Sequence, residues 1–154
     1  MLSEELAQSI NINNKKIEFI KGNYMDENKI RLTHEQPAVI TEHGWRYHHI
    51  GIPYIQPKPG EKYDEHLKIA TLGFETSPYG IEWIRFEKDC PVPDIVRNVA
   101  HLAFEVDNLD EALKNKDILL APGSPSRGIR VAFIIHDGAP IELMEFNNKS
   151  EKLK

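Results

Sequence analysis

Two stretches of the chain alternate large apolar residues with small or polar ones, which is the pattern of a β-strand buried on one face. One begins at His49 and the other begins at His101, 52 positions later. Each places its His and a very small residue, Gly51 or Ala103, on one face, because successive side chains of a strand point to opposite faces. The other face of each strand is a continuous apolar stripe. We therefore expect two similar strands that line a cavity and pack their backs on a core.

A second pair of similar segments follows the two His strands. The stretch IEWIRF at residues 81–86 aligns without gaps with IELMEF at residues 141–146, so that Glu82 and Glu142 occupy matching positions. Each half of the chain thus contains a strand with His, a helical stretch and a strand with Glu, as two copies of one supersecondary unit would. Two His and two Glu at matching points of two repeats form a candidate metal site.

Periodicity and turn residues predict what lies between these strands. Apolar side chains at positions 63, 67, 70 and 72 predict a helix over residues 63–72, which Gly73 would end. In the second half, Asn108 is placed to cap a helix over residues 109–115. The first half then has one strand fewer than the second, between residues 74 and 80, and an N-terminal arm is a candidate to supply it.

The end of the second half predicts a β-hairpin. Asp137-Gly138 lies between two apolar-rich stretches, 129–136 and 140–146, and this dipeptide is a strong signal for a two-residue hairpin turn. Upstream, residues 118–120 predict a strand, and the proline- and serine-containing stretch 122–127 predicts a turn.

The sequence divides into an N-terminal extension, one repeat-containing domain and a short polar tail. Low apolar density marks the extension, in which residues 38–40 predict a short strand. The predicted boundaries are 1–45 for the extension or arm, 46–146 for the domain, with a first module at 46–87, a linker at 88–98 and a second module at 99–146, and 147–154 for a frayed tail.

Composition narrows the class of protein. With 154 residues the chain is long enough to bury a core without disulfides, and its single cysteine fits a reducing compartment. The net charge is −5, and no cluster of Lys and Arg suggests binding to nucleic acid or to a membrane surface. No apolar run approaches the roughly 20 residues of a membrane span, and the acidic start lacks the order of a signal peptide. We expect a cytoplasmic protein.

Four short motifs, taken in order along the chain, resemble the vicinal oxygen chelate superfamily, the group of glyoxalase I, methylmalonyl-CoA epimerase, the fosfomycin- and bleomycin-resistance proteins and the extradiol dioxygenases. The motifs are His49-Ile50-Gly51-Ile52, Leu72-Gly73-Phe74, the stretch HLAFEVDNL at residues 101–109, and Ile141-Glu142-Leu143. The resemblance covers about residues 46–146. It implies an α+β fold of two βαβββ modules whose mixed sheet curls around a metal cleft, with the first module here one strand short. It also implies a homodimer that acts on a small molecule.

The resemblance further implies one divalent metal ion per chain, bound by His49, His101 and Glu142, with Glu82 as a possible fourth ligand. Mixed imidazole and carboxylate ligands suit Zn, Ni, Co, Mn or Fe(II). A metal bound to two neighbouring oxygens of a substrate stabilises the negative charge of an enediolate, and Glu142 or Glu82 would then be the catalytic residue that moves the proton. The function implied is that of an isomerase or lyase.

Other interpretations remain open. A dioxygenase or a resistance-type transferase would use only His49, His101 and Glu142, and a metal-free binding protein would use none of them. Glu82 is also compatible with a place on the surface, opposite Trp83. His48 is expected to face away from its neighbour His49 and to serve in packing or at the surface.

Overall fold

The computed structural model describes residues 30–147, and within them eight strands form a single mixed sheet. In chain order the elements are α1 (Ala38–Thr41), β1 (Arg46–Pro53), β2 (Lys62–Asp64), β3 (Ile69–Leu72), β4 (Ile81–Phe86), α2 (Asp94–Asn98), β5 (His101–Glu105), α3 (Leu109–Ala112), β6 (Ile118–Ser126), β7 (Ile129–His136) and β8 (Ala139–Phe146). The strand order across the sheet is β2-β3-β4-β1-β5-β8-β7-β6. The predicted arm and tail fall largely outside the described residues.

The sheet consists of two similar halves of four strands. In the first half β1 lies beside β4 in the parallel sense, and in the second half β5 lies beside β8 in the same way. The halves meet where the two His strands, β1 and β5, pair with each other in the antiparallel sense. This paired arrangement confirms the α+β, glyoxalase-like fold that the resemblance implied.

The main core lies on the face of the sheet opposite the two histidines. There α3 packs on the second half, and Leu109 and Leu143 are fully buried. Burial of a leucine side chain contributes about 1.5–3 kcal/mol to stability. The core residues are Trp45, Phe104, Val106, Leu109, Leu113, Ala132, Ile134 and Leu143. The helices therefore support one face and leave the His face free to line a cavity.

The helix predicted over residues 63–72 is wrong, because these residues form the hairpin of β2 and β3. The apolar spacing that suggested a helix does not mark one buried face, since Ala70 is fully buried while Tyr63 is 53% exposed. The turn is stabilised locally, because the Asp64 carboxylate accepts a hydrogen bond from the Leu67 amide. Lys68 takes a left-handed backbone conformation with φ of 57°, which interrupts any helix at that point.

The prediction that the first half lacks a strand is also wrong, because β2 completes its four strands. What the first half lacks is the helix of a βαβββ unit, since its loop from residue 54 to residue 61 contains none. The two repeats therefore differ in their covering layer and agree in their sheet. That agreement is what positions Glu82, on β4, as the counterpart of Glu142.

Four other expectations are tested by the described residues. The Asn108 side chain caps α3 as predicted, although the helix is shorter than expected and ends at Ala112. The hairpin at Asp137-Gly138 is confirmed, with φ of 46° and 80° at the two turn residues. The strand predicted at 38–40 is wrong, because these residues lie in α1, and the turn predicted at 122–127 is largely strand, since β6 continues to Ser126.

Candidate metal centre

The antiparallel pairing of β1 and β5 explains why each His strand carries a small residue two positions on. His49 lies directly opposite Ala103, which in turn lies beside Glu142 in the parallel pair of β5 and β8. Side chains of directly paired residues share one face of a sheet. A methyl group in the middle of this row leaves room for the imidazole and the carboxylate to approach each other above it.

The second row is the counterpart of the first. His101 lies opposite Gly51, which lies beside Glu82 in the pair of β1 and β4. Here the fit is closer, since a Cβ on Gly51 would lie 2.1 Å from Cε1 of the His101 ring and 2.5 Å from its Nε2. Real Cβ contacts essentially never fall below 3.0 Å. The His101 ring therefore occupies the space that any other residue at position 51 would fill.

Three donor atoms from the two rows converge. Nε2 of His101 lies 3.1 Å from Oε2 of Glu142, and Nε2 of His49 lies 3.3 Å from the same oxygen. Two neighbouring ligands bound to one zinc ion at about 2.0–2.1 Å are roughly 2.8–3.4 Å apart, from octahedral to tetrahedral geometry. His49, His101 and Glu142 each offer a ligand atom, with all three atoms within 4.8 Å of one another. This group could hold a metal ion.

Glu82 lies at the edge of this group. Its Oε2 is 3.2 Å from Nε2 of His49, which excludes the interpretation of Glu82 as a surface residue pointing away from the site. The set of mutually close ligand atoms nevertheless contains only His49, His101 and Glu142. The structure thus brings all four sequence-predicted residues together and places three of them in one tight cluster.

The pKa values of the two carboxyl groups are shifted in opposite directions. Burial opposes ionisation of Glu142, but hydrogen bonds from His101 and His49 outweigh it and lower the pKa of Glu142 to about 2. For Glu82, burial is the largest influence and raises its pKa, only partly offset by the charge of His49. The pKa of His49 is raised, because the hydrogen bond and charge of Glu142 outweigh the opposite effect of burial. Glu142 is therefore the stronger anionic ligand of the two.

The prediction that His48 faces away from His49 is wrong. The pairing register of β1 and β5 shifts between Tyr47 and His49, so His48 is the extra residue of a β-bulge. The bulge turns the His48 ring toward the site, where its Nδ1 lies 2.8 Å from Nδ1 of His49. The predicted packing role is confirmed in another way, since Phe74 and Phe146 stack on the ring.

Two aromatic residues that were not predicted to lie at the site also border it. Phe133 on β7 meets the His101 ring edge-on at a centroid distance of 5.1 Å, and Phe74 meets His49 at 6.0 Å. Phe133 lies directly opposite Glu142 in the hairpin register. Because a two-residue turn fixes that register, the Asp137-Gly138 signal was sufficient to place Phe133 on the face of the site.

A cavity of about 170 Å³ opens beside Glu82. Its lining combines small, apolar and polar residues, as small-molecule pockets commonly do: Gly60, Lys62, Thr71, Leu72, Gly73, Phe74, Glu75, Thr76 and Glu82. A larger cavity of about 470 Å³ includes Trp45, Val106 and Asn108 in its lining and none of the four candidate metal-site residues. Only the smaller of these two cavities adjoins the candidate site.

Two solved structures are similar to this chain at low sequence identity. No protein-family model and no curated protein matches the chain. A hypothetical protein from Bacillus halodurans has a similar solved structure, with a TM-score of 0.49 and 20% identity over 71% of this chain and 98% of that one. The structure of methylmalonyl-CoA epimerase from Mycobacterium tuberculosis gives a TM-score of 0.45 and 18% identity over 65% of this chain and 87% of that one.

The fold and the site together define the class of protein. The chain has a glyoxalase-like α+β fold with a His-His-Glu group that could bind a metal ion where the two halves of the sheet meet. Within residues 30–147, no helix is long and apolar enough to cross a membrane. The particular reaction is a matter for proposal.

Proposed function

We propose that this protein is a divalent-metal-dependent isomerase or lyase that acts on a small metabolite with oxygens on neighbouring carbons. The observation that supports it most is the convergence of His49 Nε2, His101 Nε2 and Glu142 Oε2 beside a cavity that Glu82 lines. The Glu142 side chain is 13% exposed and lies between two buried imidazoles, and groups of this kind inside proteins are paired with one another or bind a metal. The donor types suit Zn, Ni, Co, Mn or Fe(II).

The chain's residues divide the work between holding an ion and moving a proton. His49, His101 and Glu142 would hold one ion per chain, with Glu82, 3.2 Å from Nε2 of His49, as a fourth and more weakly held ligand. When bound, the ion would supply Lewis-acid stabilisation of the negative charge that develops on a substrate oxygen. Phe74 and Phe133 flank the two imidazoles and restrict access of water from their sides.

Glu82 is the better placed of the two carboxyl groups to transfer a proton. It lines the cavity, whereas Glu142 is engaged by two imidazoles and holds its charge tightly. A general base must come within hydrogen-bond reach of the proton that it removes, and only Glu82 is among the lining residues. We assign it the role of proton carrier between adjacent substrate carbons, and Glu142 the role of anionic ligand.

The remaining sequence-based expectations belong to this proposal. Residues 46–146 would be the functional domain, with modules at 46–87 and 99–146 joined by the linker 88–98. The protein would act as a homodimer on a small molecule.

A second candidate function is a metal-dependent dioxygenase or a resistance-type transferase with three protein ligands. The observation that favours it is that Glu82 is not part of the set of mutually close ligand atoms. In that class Glu82 would be free of the ion and would not exchange protons with the substrate. The two functions therefore differ in what Glu82 does.

Metal analysis tests the site itself. Elemental analysis of the purified protein is expected to show about one divalent metal ion per chain, and His101→Ala is expected to remove nearly all of it. His136→Ala is the matched control, because His136 is 64% exposed and lies at the far end of β7. Full retention of metal by His101→Ala would refute the proposed site.

Proton exchange tests the reaction class. The metal-loaded protein is incubated in D2O with small α-hydroxycarbonyl compounds, and NMR follows deuterium entering at the carbon next to the carbonyl. Exchange with the natural chain and none with Glu82→Gln would support the isomerase or lyase. Consumption of dioxygen without exchange would favour the dioxygenase.

A further inference from the structure

We infer that His48 is a positioning residue, which accepts a hydrogen bond from His49 Nδ1 and so presents His49 Nε2 to the metal ion. This inference rests on the proposed function, because it concerns how one proposed ligand is oriented. The feature that carries it is the β-bulge in β1. Without the extra residue, strict alternation would direct His48 to the opposite face of the sheet from His49.

The contact between the two rings fixes their roles. The two Nδ1 atoms are 2.8 Å apart, so one of them carries a hydrogen and the other accepts it. Nε2 of His49 is the atom that faces the carboxylates, at 3.2 Å from Glu82 and 3.3 Å from Glu142. An imidazole that binds metal through Nε2 carries its hydrogen on Nδ1. His49 is then the donor, and His48 must be the acceptor.

The His48 ring is held firmly in the acceptor position. Phe74 stacks on it at a centroid distance of 5.6 Å, and Phe146 stacks on it at 5.4 Å, both with an angle of 25° between ring planes. Phe74 in the turn after β3 and Phe146 at the end of β8 thus restrain the ring from turning away. The bulge supplies the direction, and the stack supplies the rigidity that a supporting group behind a metal ligand needs.

The other candidate His ligand shows that this support is particular to His49. Nδ1 of His101 is buried and has no hydrogen-bond partner within residues 30–147. His101 is instead held by shape, between the backbone of Gly51 and the edge of Phe133. On the Nδ1 side, His101 therefore has only packing to orient it, whereas His49 has a second imidazole, so that removing His48 should affect a hydrogen bond that nothing else replaces.

Two substitutions at position 48 separate the hydrogen bond from the stacking. His48→Phe keeps a flat ring between Phe74 and Phe146 but has no nitrogen to accept the bond. His48→Asn loses the ring, but its side-chain oxygen lies where Nδ1 was and accepts the same hydrogen. The measurement is the Zn(II) dissociation constant, determined by competition with a chromophoric chelator, together with 15N NMR of the His49 ring in the Zn-loaded protein.

A positioning role predicts a crossed result. His48→Phe is expected to weaken Zn(II) binding by about ten- to a hundredfold, the usual cost of losing the group that supports a ligand. His48→Asn is expected to stay within a few fold of the natural chain and to keep the His49 hydrogen on Nδ1. The opposite pattern, with Phe retaining affinity and Asn losing it, would show that His48 serves only as a packed ring and would overturn the inference.

The test also distinguishes this inference from the proposed function. If the natural chain binds neither Zn(II) nor Ni(II), Co(II), Mn(II) or Fe(II), the proposed function is refuted, and the inference fails with it. If the natural chain binds Zn(II) and both variants bind it as tightly as the natural chain does, the proposed metal site is retained and the inference alone is overturned. His136→Phe serves as the control for loss of an exposed imidazole from the same protein.

Discussion

Gly51→Ala places one methyl group where the structure leaves no room for it. The new Cβ would lie 2.1 Å from Cε1, 2.5 Å from Nε2 and 2.7 Å from Nδ1 of His101, whereas ordinary contact begins at 3.4 Å. The ring would have to move by about 1.3 Å, the difference between 3.4 Å and 2.1 Å. It is only 3% exposed and borders Phe133, so a shift of that size disturbs the packing around it.

This displacement is expected to affect both metal binding and stability. Ligand atoms hold a metal only within about 0.2 Å of their preferred distances, so a shift of more than 1 Å removes His101 from the coordination sphere. We expect a loss of Zn(II) affinity of at least a hundredfold. Overpacking of a filled site typically costs about 1–3 kcal/mol, and we expect the upper part of this range for Gly51→Ala in urea unfolding.

A double-mutant cycle tests the reasoning. If the cost arises from the His101 ring, Gly51→Ala should cost almost nothing in a His101→Ala background, because the ring is absent there. Gly123→Ala is the matched control, since a Cβ at that strand position meets nothing within 4 Å. Equal costs for Gly51→Ala with and without the His101 ring would refute the argument from crowding.

Three further predictions concern a proposed catalytic group, a supporting ion pair and the assembly. Glu82→Gln is expected to leave the protein folded and to weaken metal binding by about ten- to a hundredfold in a Co(II) titration, and unchanged affinity would favour the three-ligand classes. Hydrogen bonds from Arg85 and Tyr54 lower the pKa of Glu61 to about 2 from 4.5, so their stabilising effect is present above pH 4.5 and is lost as pH falls toward 2. In urea unfolding, the stability difference between Arg85→Gln and the natural chain should therefore shrink as pH falls over that range. A difference that stays constant with pH would contradict this prediction. Sedimentation at micromolar concentration is expected to show a homodimer, because β2 and β6 leave the two edges of the described sheet without a neighbouring strand, and a monomer that keeps its fold and metal would oppose this.

The grouping of the candidate site residues could be predicted from the sequence because the strand pattern occurs twice. One His followed two residues later by a small residue is a common strand pattern, but two copies with matching Glu strands predict a common location. The antiparallel pairing of β1 and β5 shows why the pattern has that form, since His49 needs Ala103 opposite it and His101 needs Gly51. Because each His ring needs a small residue opposite it, the size of that residue can be recognised in a single sequence.

The errors occurred where local patterns are ambiguous. Residues 63–72 have apolar positions at helix-like intervals, yet short β-strands joined by a turn give the same intervals when the turn contains an apolar residue such as Leu67. The pairing of β3 with β4 determines that this segment is a strand, and such a tertiary contact is not visible in the local pattern. The supposed missing strand followed from the same error, because a segment assigned to a helix could not be counted as β2.

The placement of His48 could not have been predicted from the sequence, for a different reason. A β-bulge adds one residue to one strand of a pair, and alternation alone gives no sign of where the addition falls. Only the observed register, with Tyr47 opposite Phe104 and His49 opposite Ala103, reveals the extra residue. The consequence reverses the expectation, since the ring assigned to the far side becomes the partner of His49.

The candidate site lies where the two halves of the sheet meet because each half supplies only some of its residues. One half contributes His49 and Glu82 and the other contributes His101 and Glu142, so neither half alone contains the three-residue group. The carboxylate that contacts both imidazoles comes from the second half, and one of those imidazoles comes from the first. A metal ion bound there would connect β1 to β5 and β8 in addition to their backbone hydrogen bonds, and it would be lost if the halves separated. Because such an ion binds only the joined state, it would also stabilise the fold, by about 2.7 kcal/mol at a free concentration of a hundred times its dissociation constant.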